Sequence, residues 1–174
     1  MTATHSETRY YGKYRGTVIN VEDPMRMGRI MAEVPQVYGV LPSTWAMPCV
    51  PFAGIQSGEW TVPPLGAGVW IEFEQGDPNY PIWTGGYWGS GAEPPAMAQG
   101  APASVNHYVL QTTLQNTLQV SDLPGPTGGI LLKTTTGAMI AINDVGITLS
   151  NGKGATIVMA GPTVTVNAGA LTVT

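Results

Sequence analysis

The sequence is poor in charge, has almost no cysteine and lacks the periodicity of a long helix. Seven Lys and Arg against eleven Asp and Glu give a net charge of −4, and the charged residues make up only 10% of the chain. No basic run is present, so the electrostatic footprint of a phosphate-backbone binder is missing and no nucleic-acid partner is expected. The lone Cys49 cannot form an intrachain disulfide, and the opening MTATHSETRYYGKYRG holds no apolar core of signal-peptide length. Together these absences lead us to expect synthesis in a reducing cytoplasm without a signal peptide. No apolar run approaches the ~20 residues of a membrane helix, so contact with a membrane would be transient and delivered from outside.

What the chain has instead is turn chemistry. Gly (23) and Pro (15) together exceed a fifth of the residues, enough to break helices and punctuate short strands. The front half holds all five Trp (45, 60, 70, 83 and 88) and most of the charge. Five β-rich runs separated by turn signals are read there: Lys13 to Val21, Gly28 to Val34, Trp45 to Pro51, Gly68 to Glu74 and Tyr80 to Trp88. Five such strands suit a small closed barrel. Val69, Ile71 and Phe73 are expected on one face of the fourth strand, with Trp70, Glu72 and Glu74 on the other. The turn GDPN, Gly76 to Asn79, should join the fourth and fifth strands as a hairpin.

Residues 1–12 read as an N-terminal arm, 13–88 as the barrel and 89–103, GSGAEPPAMAQGAPA, as a linker. Residues 104–174 have a different texture. Gly129, Gly137, Gly146, Gly154, Gly161 and Gly169 recur at intervals of 8, 9, 8, 7 and 8, with a short alternating run between each pair. The apolar residues keep one parity: Ile140 and Ile142, Ile147 and Leu149, Ile157 and Met159, Val164 and Val166, Leu171 and Val173. Thr148, Thr156, Thr163, Thr165 and Thr172 take the other face. Runs of four to six residues give stripes too narrow for one chain to cover. We therefore expect three chains about a common axis, with those ten apolar residues as the trimer core and few lateral sheet edges left open. About eight strands at ~4.8 Å would make a needle roughly 40 Å long.

Constellations that suggest chemistry give way to simpler readings. NGKG, Asn151 to Gly154, lacks the spacing and the hydroxyl residue of a phosphate loop and reads as a turn. GGYWGSG, Gly85 to Gly91, has no helix after it and is no dinucleotide fingerprint. His5 and His107 are far apart without a second ligand type and read as surface histidines; no metal site is expected. Glu72, Glu74 and Asp77 resemble a glycosidase carboxylate set only superficially, because one strand supplies both glutamates. The Trp residues could form a stacking platform for sugars or single-stranded nucleic acid; the acidic charge argues against the latter, and a glycan-binding or glycan-degrading fibrous appendage stands as the alternative reading. Core packing and protein contacts explain most of them better. No catalytic residue and no cofactor are expected.

The stretches GKYRGTVINVEDPMRMGRIMAEVPQV, WAMPCVPFAG and PPLGAGVWIEFEQGDPNYPIWTGGYWG resemble the N-terminal barrel of the central spike proteins of contractile injection machines. These are the phage baseplate protein V, the valine-glycine-repeat protein G of type VI secretion, and relatives in extracellular particles. Phe73, Gly76, Asp77, Pro81, Trp83 and Gly85 carry the most specific part. LQNTLQVSD, GGILLKTTTGAMIAIND and GITLSNGKGATIVMAGPTVTVNAGALTVT are similar to the family's trimeric needle. The resemblance implies an all-β chain with a five-stranded OB-type barrel followed by an intertwined trimeric β-helix or β-prism. It further implies a non-enzymatic, membrane-puncturing spike in a virion tail or a phage tail-like particle, extracellular or cell-anchored. The implied partners are two further copies of the chain, a separate hub protein, a conical tip protein of the proline-alanine-alanine-arginine (PAAR) type over Leu171, Thr172, Val173 and Thr174, and the inner tube or cargo.

Overall fold

Alternation of apolar and polar residues at strand spacing, cut by glycine and proline, shapes both halves of the chain. A computed structural model describes residues 8–173, without the side chains of residues 169, 172 and 173, and divides the chain between Glu93 and Pro94 into two units.

In the first unit the strands are β1 (Tyr14–Asn20), β2 (Met31–Glu33), β3 (Met47–Pro48), β4 (Ala53–Gly54), β5 (Ser57–Gly58), β6 (Gly68–Phe73) and β7 (Pro81–Tyr87). Five of them form one sheet in the order β2-β1-β6-β7-β3, antiparallel except for the parallel pair β3–β7. The sheet closes on itself where Ile30 donates its N–H to the Ala46 carbonyl at 3.2 Å and Ala46 donates to the Ile30 carbonyl at 2.8 Å. Inside sit Val18, Ile30, Ala32, Val34, Ala46, Val69, Ile71, Phe73 and Trp83, which form its buried core. The five expected strands and the hairpin across GDPN are all present. Two details differ. Glu74 does not continue the strand but opens a short 3-10 turn, Glu74–Gly76, because Gln75 takes a φ of 51° and turns the chain. The small β4–β5 hairpin is additional; its two-residue strands are too short to leave a periodic signal.

The second unit contains β8 (His107–Gln111), β9 (Thr117–Ser121), β10 (Gly129–Lys133), β11 (Ala138–Asn143), β12 (Gly146–Asn151), β13 (Thr156–Ala160), β14 (Thr163–Val166) and β15 (Leu171–Val173). They lie in chain order in one eight-stranded antiparallel meander. The repeating glycines mark its reversals. Gly146 shows why: its φ is 147°, and a Cβ there would stand 2.0 Å from the Met159 carbonyl oxygen on the next strand. The interior strands are hydrogen-bonded on both sides within one chain. A single chain thus pairs its interior strands itself and leaves open an apolar side-chain surface and two edge strands, β8 and β15. The stretch read as a linker also contains a helical turn, Ala96–Gln99. The architecture is all-β, an OB-type barrel followed by a sheet built for assembly.

Candidate assembly surface

Strand register converts the single-parity stripe into a surface. Leu110, Leu118, Leu132, Ile140, Leu149, Ile157, Val166 and Leu171 lie opposite one another from strand to strand and form one column across the sheet. Tyr108, Val120, Ile130, Ile142, Ile147, Met159, Val164 and Val173 form a second, two residues along each strand and therefore on the same face. All ten expected core positions fall in these columns. In the single chain the face is open: Ile140 is 42% exposed, Ile142 43%, Ile157 41% and Leu171 58%. Contiguous apolar area of this extent marks a surface meant to be covered. Thr174, and the side chains of Thr172 and Val173, lie outside the described residues.

The opposite face of β9 is buried although it is polar. Thr117, Gln119 and Ser121 are covered while their apolar neighbours Leu118 and Val120 face solvent. Gln111 donates its side-chain amide to the Thr117 hydroxyl at 2.9 Å, and Gln119 donates to the Thr127 carbonyl at 3.0 Å. The loop after β9 is pinned in turn by Gly125 donating to the Asp144 carboxylate at 2.8 Å and Asn143 donating to the Pro126 carbonyl at 3.1 Å. One face of this end is thus closed by the chain's own loop, which leaves the apolar face as the one awaiting a partner. His107, expected at the surface, is half-buried and structural. Its Nε2 must carry the proton it donates to the Met97 carbonyl (3.0 Å), so Nδ1 accepts from the Ser121 hydroxyl (2.7 Å).

The six barrel-motif residues build the β6–β7 corner. Phe73 ends β6 among the rings of Tyr10, Tyr14 and Tyr38, with centroids 6.0, 5.6 and 6.0 Å away. Gly76 has a φ of 77°, and its carbonyl accepts the Tyr10 N–H at 2.8 Å; a Cβ there would lie 3.0 Å from the Tyr11 ring. Asp77 accepts the backbone N–H of Asn79 at 2.9 Å and pairs with Arg9 at 3.4 Å. The hydrogen bond to Asn79 is the main reason its carboxyl is held below the usual range. Tyr38 donates to the Pro78 carbonyl; its hydroxyl is pushed up to about 12, chiefly by burial and further by the Asp77 charge. Pro81 starts β7 opposite Phe73, Trp83 donates its indole N–H to the Gly28 carbonyl at 3.1 Å, and Gly85 occupies the bulge where the β6–β7 register slips. The arm, from Thr8 on, is therefore tied to this corner through Arg9 and Tyr10.

A further cluster was not anticipated. Asp23, after β1, accepts N–H groups from Met25 (3.0 Å), Met27 (2.7 Å) and Arg29 (3.3 Å), and the Arg29 guanidinium grips it at 2.9 and 2.6 Å. That pairing with Arg29, more than the backbone bonds, keeps its carboxyl well below the ordinary range. An Asp followed by Pro and then by Gly-Arg was the available signal; its meaning depends on the left-handed Arg26 and Gly28 that fold the loop back.

The tryptophans form no common platform. Trp83 is in the core, Trp45 and Trp70 lie half-buried against Arg29 and Arg15, and Trp60 and Trp88 are exposed. Trp60 and Trp83 line a cleft of about 410 Å³ together with Met27, Pro48, Val50 and Val62. Glu72 is engaged by Lys13 at 2.7 Å, while Glu74 has turned off the strand, so the two share no catalytic geometry. Among the described residues no group of His, Cys, Asp and Glu is arranged to hold a metal, and no helix is long and apolar enough to cross a membrane.

Both units are similar to known families. Residues 14–88 match the type VI secretion system/phage-baseplate injector OB domain, and residues 107–172 match the phage baseplate V C-terminal trimerisation domain. No curated protein matches the chain.

Proposed function

We propose that this chain is the central spike of a contractile injection apparatus, like the phage baseplate protein or the valine-glycine-repeat protein G, because its two units match an injector OB domain and a baseplate V trimerisation domain in that order. The observation that carries this reading is the double apolar column on an otherwise self-satisfied sheet. Strands of five residues span ~17 Å, and the axis of a three-sided prism of that width lies ~5 Å from each face, half the ~10 Å between packed sheets. A four-sided prism of the same width would put its axis ~8 Å away and leave a void the Ile and Val side chains could not fill. Burying side chains that are some two-fifths exposed contributes roughly 1 kcal/mol each, summed over two columns and three chains.

In this reading the role is structural and not catalytic. Stiffness comes from chains that can separate only together, and membrane contact lasts only for the stroke. The barrel would seat on a separate hub protein, and β15 with Leu171 would carry a PAAR-type tip protein; the inner tube or cargo would lie beyond the hub. Support for the tip contact is local: Leu171 is largely exposed on the last strand of the sheet's order. The test is native mass spectrometry of the full chain mixed with a candidate hub protein and a PAAR-type tip protein. A complex containing three copies of this chain with each partner is expected; failure to bind either one overturns that seating.

A further inference from the structure

The turn between β12 and β13 contains the chain's single Asn–Gly pair, Asn151–Gly152, and both residues are exposed. The Asn151 side chain makes one hydrogen bond more than the ordinary Asn turn requires. The Asn151 side-chain oxygen accepts two backbone N–H groups, from Lys153 at 2.8 Å and from Ala155 at 3.0 Å. Two N–H donors on one carbonyl oxygen polarise it and favour negative charge developing there, as in an oxyanion hole. The neighbouring Gly152 N–H donates to the Ser150 hydroxyl at 3.1 Å, an acceptor placed on the proton that must leave. Gly152 has no Cβ to obstruct approach to its nitrogen; its φ is 70°, and an added Cβ would stand 2.6 Å from the Thr136 carbonyl oxygen.

We propose that this turn is a self-modification site, at which Asn151 converts to aspartate and isoaspartate in the folded protein. The Gly152 nitrogen bonds to the side-chain Cγ of Asn151 and loses its proton to solvent base. The Cγ–Nδ2 bond breaks, the leaving nitrogen takes a proton from solvent and departs as ammonia, and a cyclic imide remains. Water then opens the ring at one carbonyl to give aspartate, or at the other to give isoaspartate. Solvent water is the only co-reactant, and no oxidant or reductant is needed. The chain supplies its own controls. Asn143 also accepts the N–H two residues on, at 2.9 Å, and Asn20 does the same at 2.9 Å, but the residues that follow them are Asp144 and Val21, whose side chains crowd the attacking nitrogen. An aspartate at position 151 could accept the same two N–H bonds and preserve the turn, with one added negative charge beside Lys153. Isoaspartate lengthens the backbone by one carbon and would break that pairing.

The test is peptide-mapping mass spectrometry of the intact protein aged at pH 7 to 9, with isoaspartate resolved by electron-transfer fragmentation and a urea-unfolded sample run alongside. Conversion at Asn151 is expected to exceed that at Asn143 and Asn20 at least tenfold, and to run in the native protein at least as fast as in the unfolded chain. Asn151→Asp should keep the native oligomer and its melting temperature. A native protein that stays unmodified at Asn151 while the unfolded chain converts would overturn the proposal, as would equal conversion at all three asparagines.

Discussion

Single side chains tie down the barrel's loops, and Asp23 is the clearest of them. It receives five hydrogen bonds within one loop, so its carboxylate form is stabilised by folding. With a folded value below the ordinary 3.8, its contribution is complete above that value and disappears as pH falls toward the folded one. Asp77 acts in the same direction. The barrel's melting temperature, followed by Trp fluorescence, is therefore expected to be flat near neutrality and to decline below about pH 5. Asp23→Asn should lower the plateau and flatten part of that decline; an unchanged slope would show that the Arg29 pairing does not couple to folding. Trp83 offers a second measure. At 6% exposed and opposite Ile71, its replacement by Ala removes a ring from the closed core and is expected to cost about 3–5 kcal/mol in denaturant titration of the barrel.

Elements carry the assembly argument. Ile142→Asp places a charge in the middle of a column and is expected to prevent association, whereas Thr148→Asp on the opposite face should leave it intact; sedimentation velocity separates the two outcomes. If both variants associate equally, the columns are not the interface. Gly146→Ala should give poor yield of folded protein, since the added Cβ meets the Met159 carbonyl and the backbone cannot yield without parting two strands. These elements were legible in the sequence because each rests on a local rule. Ile and Thr alternate at period two, and glycine sits where the chain turns. The OB-type strands were legible for the same reason. The β4–β5 hairpin was not, because two residues cannot show a period. Nor was the buried polar edge of β9, because Gln119 is covered by a loop that closes on Asp144 two strands away. Which Trp entered the core was equally hidden: Trp83 is chosen by the register of β6 and β7, while Trp60 and Trp88 remain outside.

At the scale of the whole molecule the two units have different needs. The barrel encloses its own core. The meander satisfies its backbone alone but not its apolar face, so its stability must come from other copies. Variants in the barrel, such as Asp23→Asn, are accordingly expected to lower the first unfolding transition without changing the oligomer. The central claim is that three copies make the functional unit, and multi-angle light scattering on the purified full chain tests it most directly. The account predicts a single species near 55 kDa, three times the 18.3 kDa chain, that persists on dilution. A folded species at the mass of one chain would contradict it.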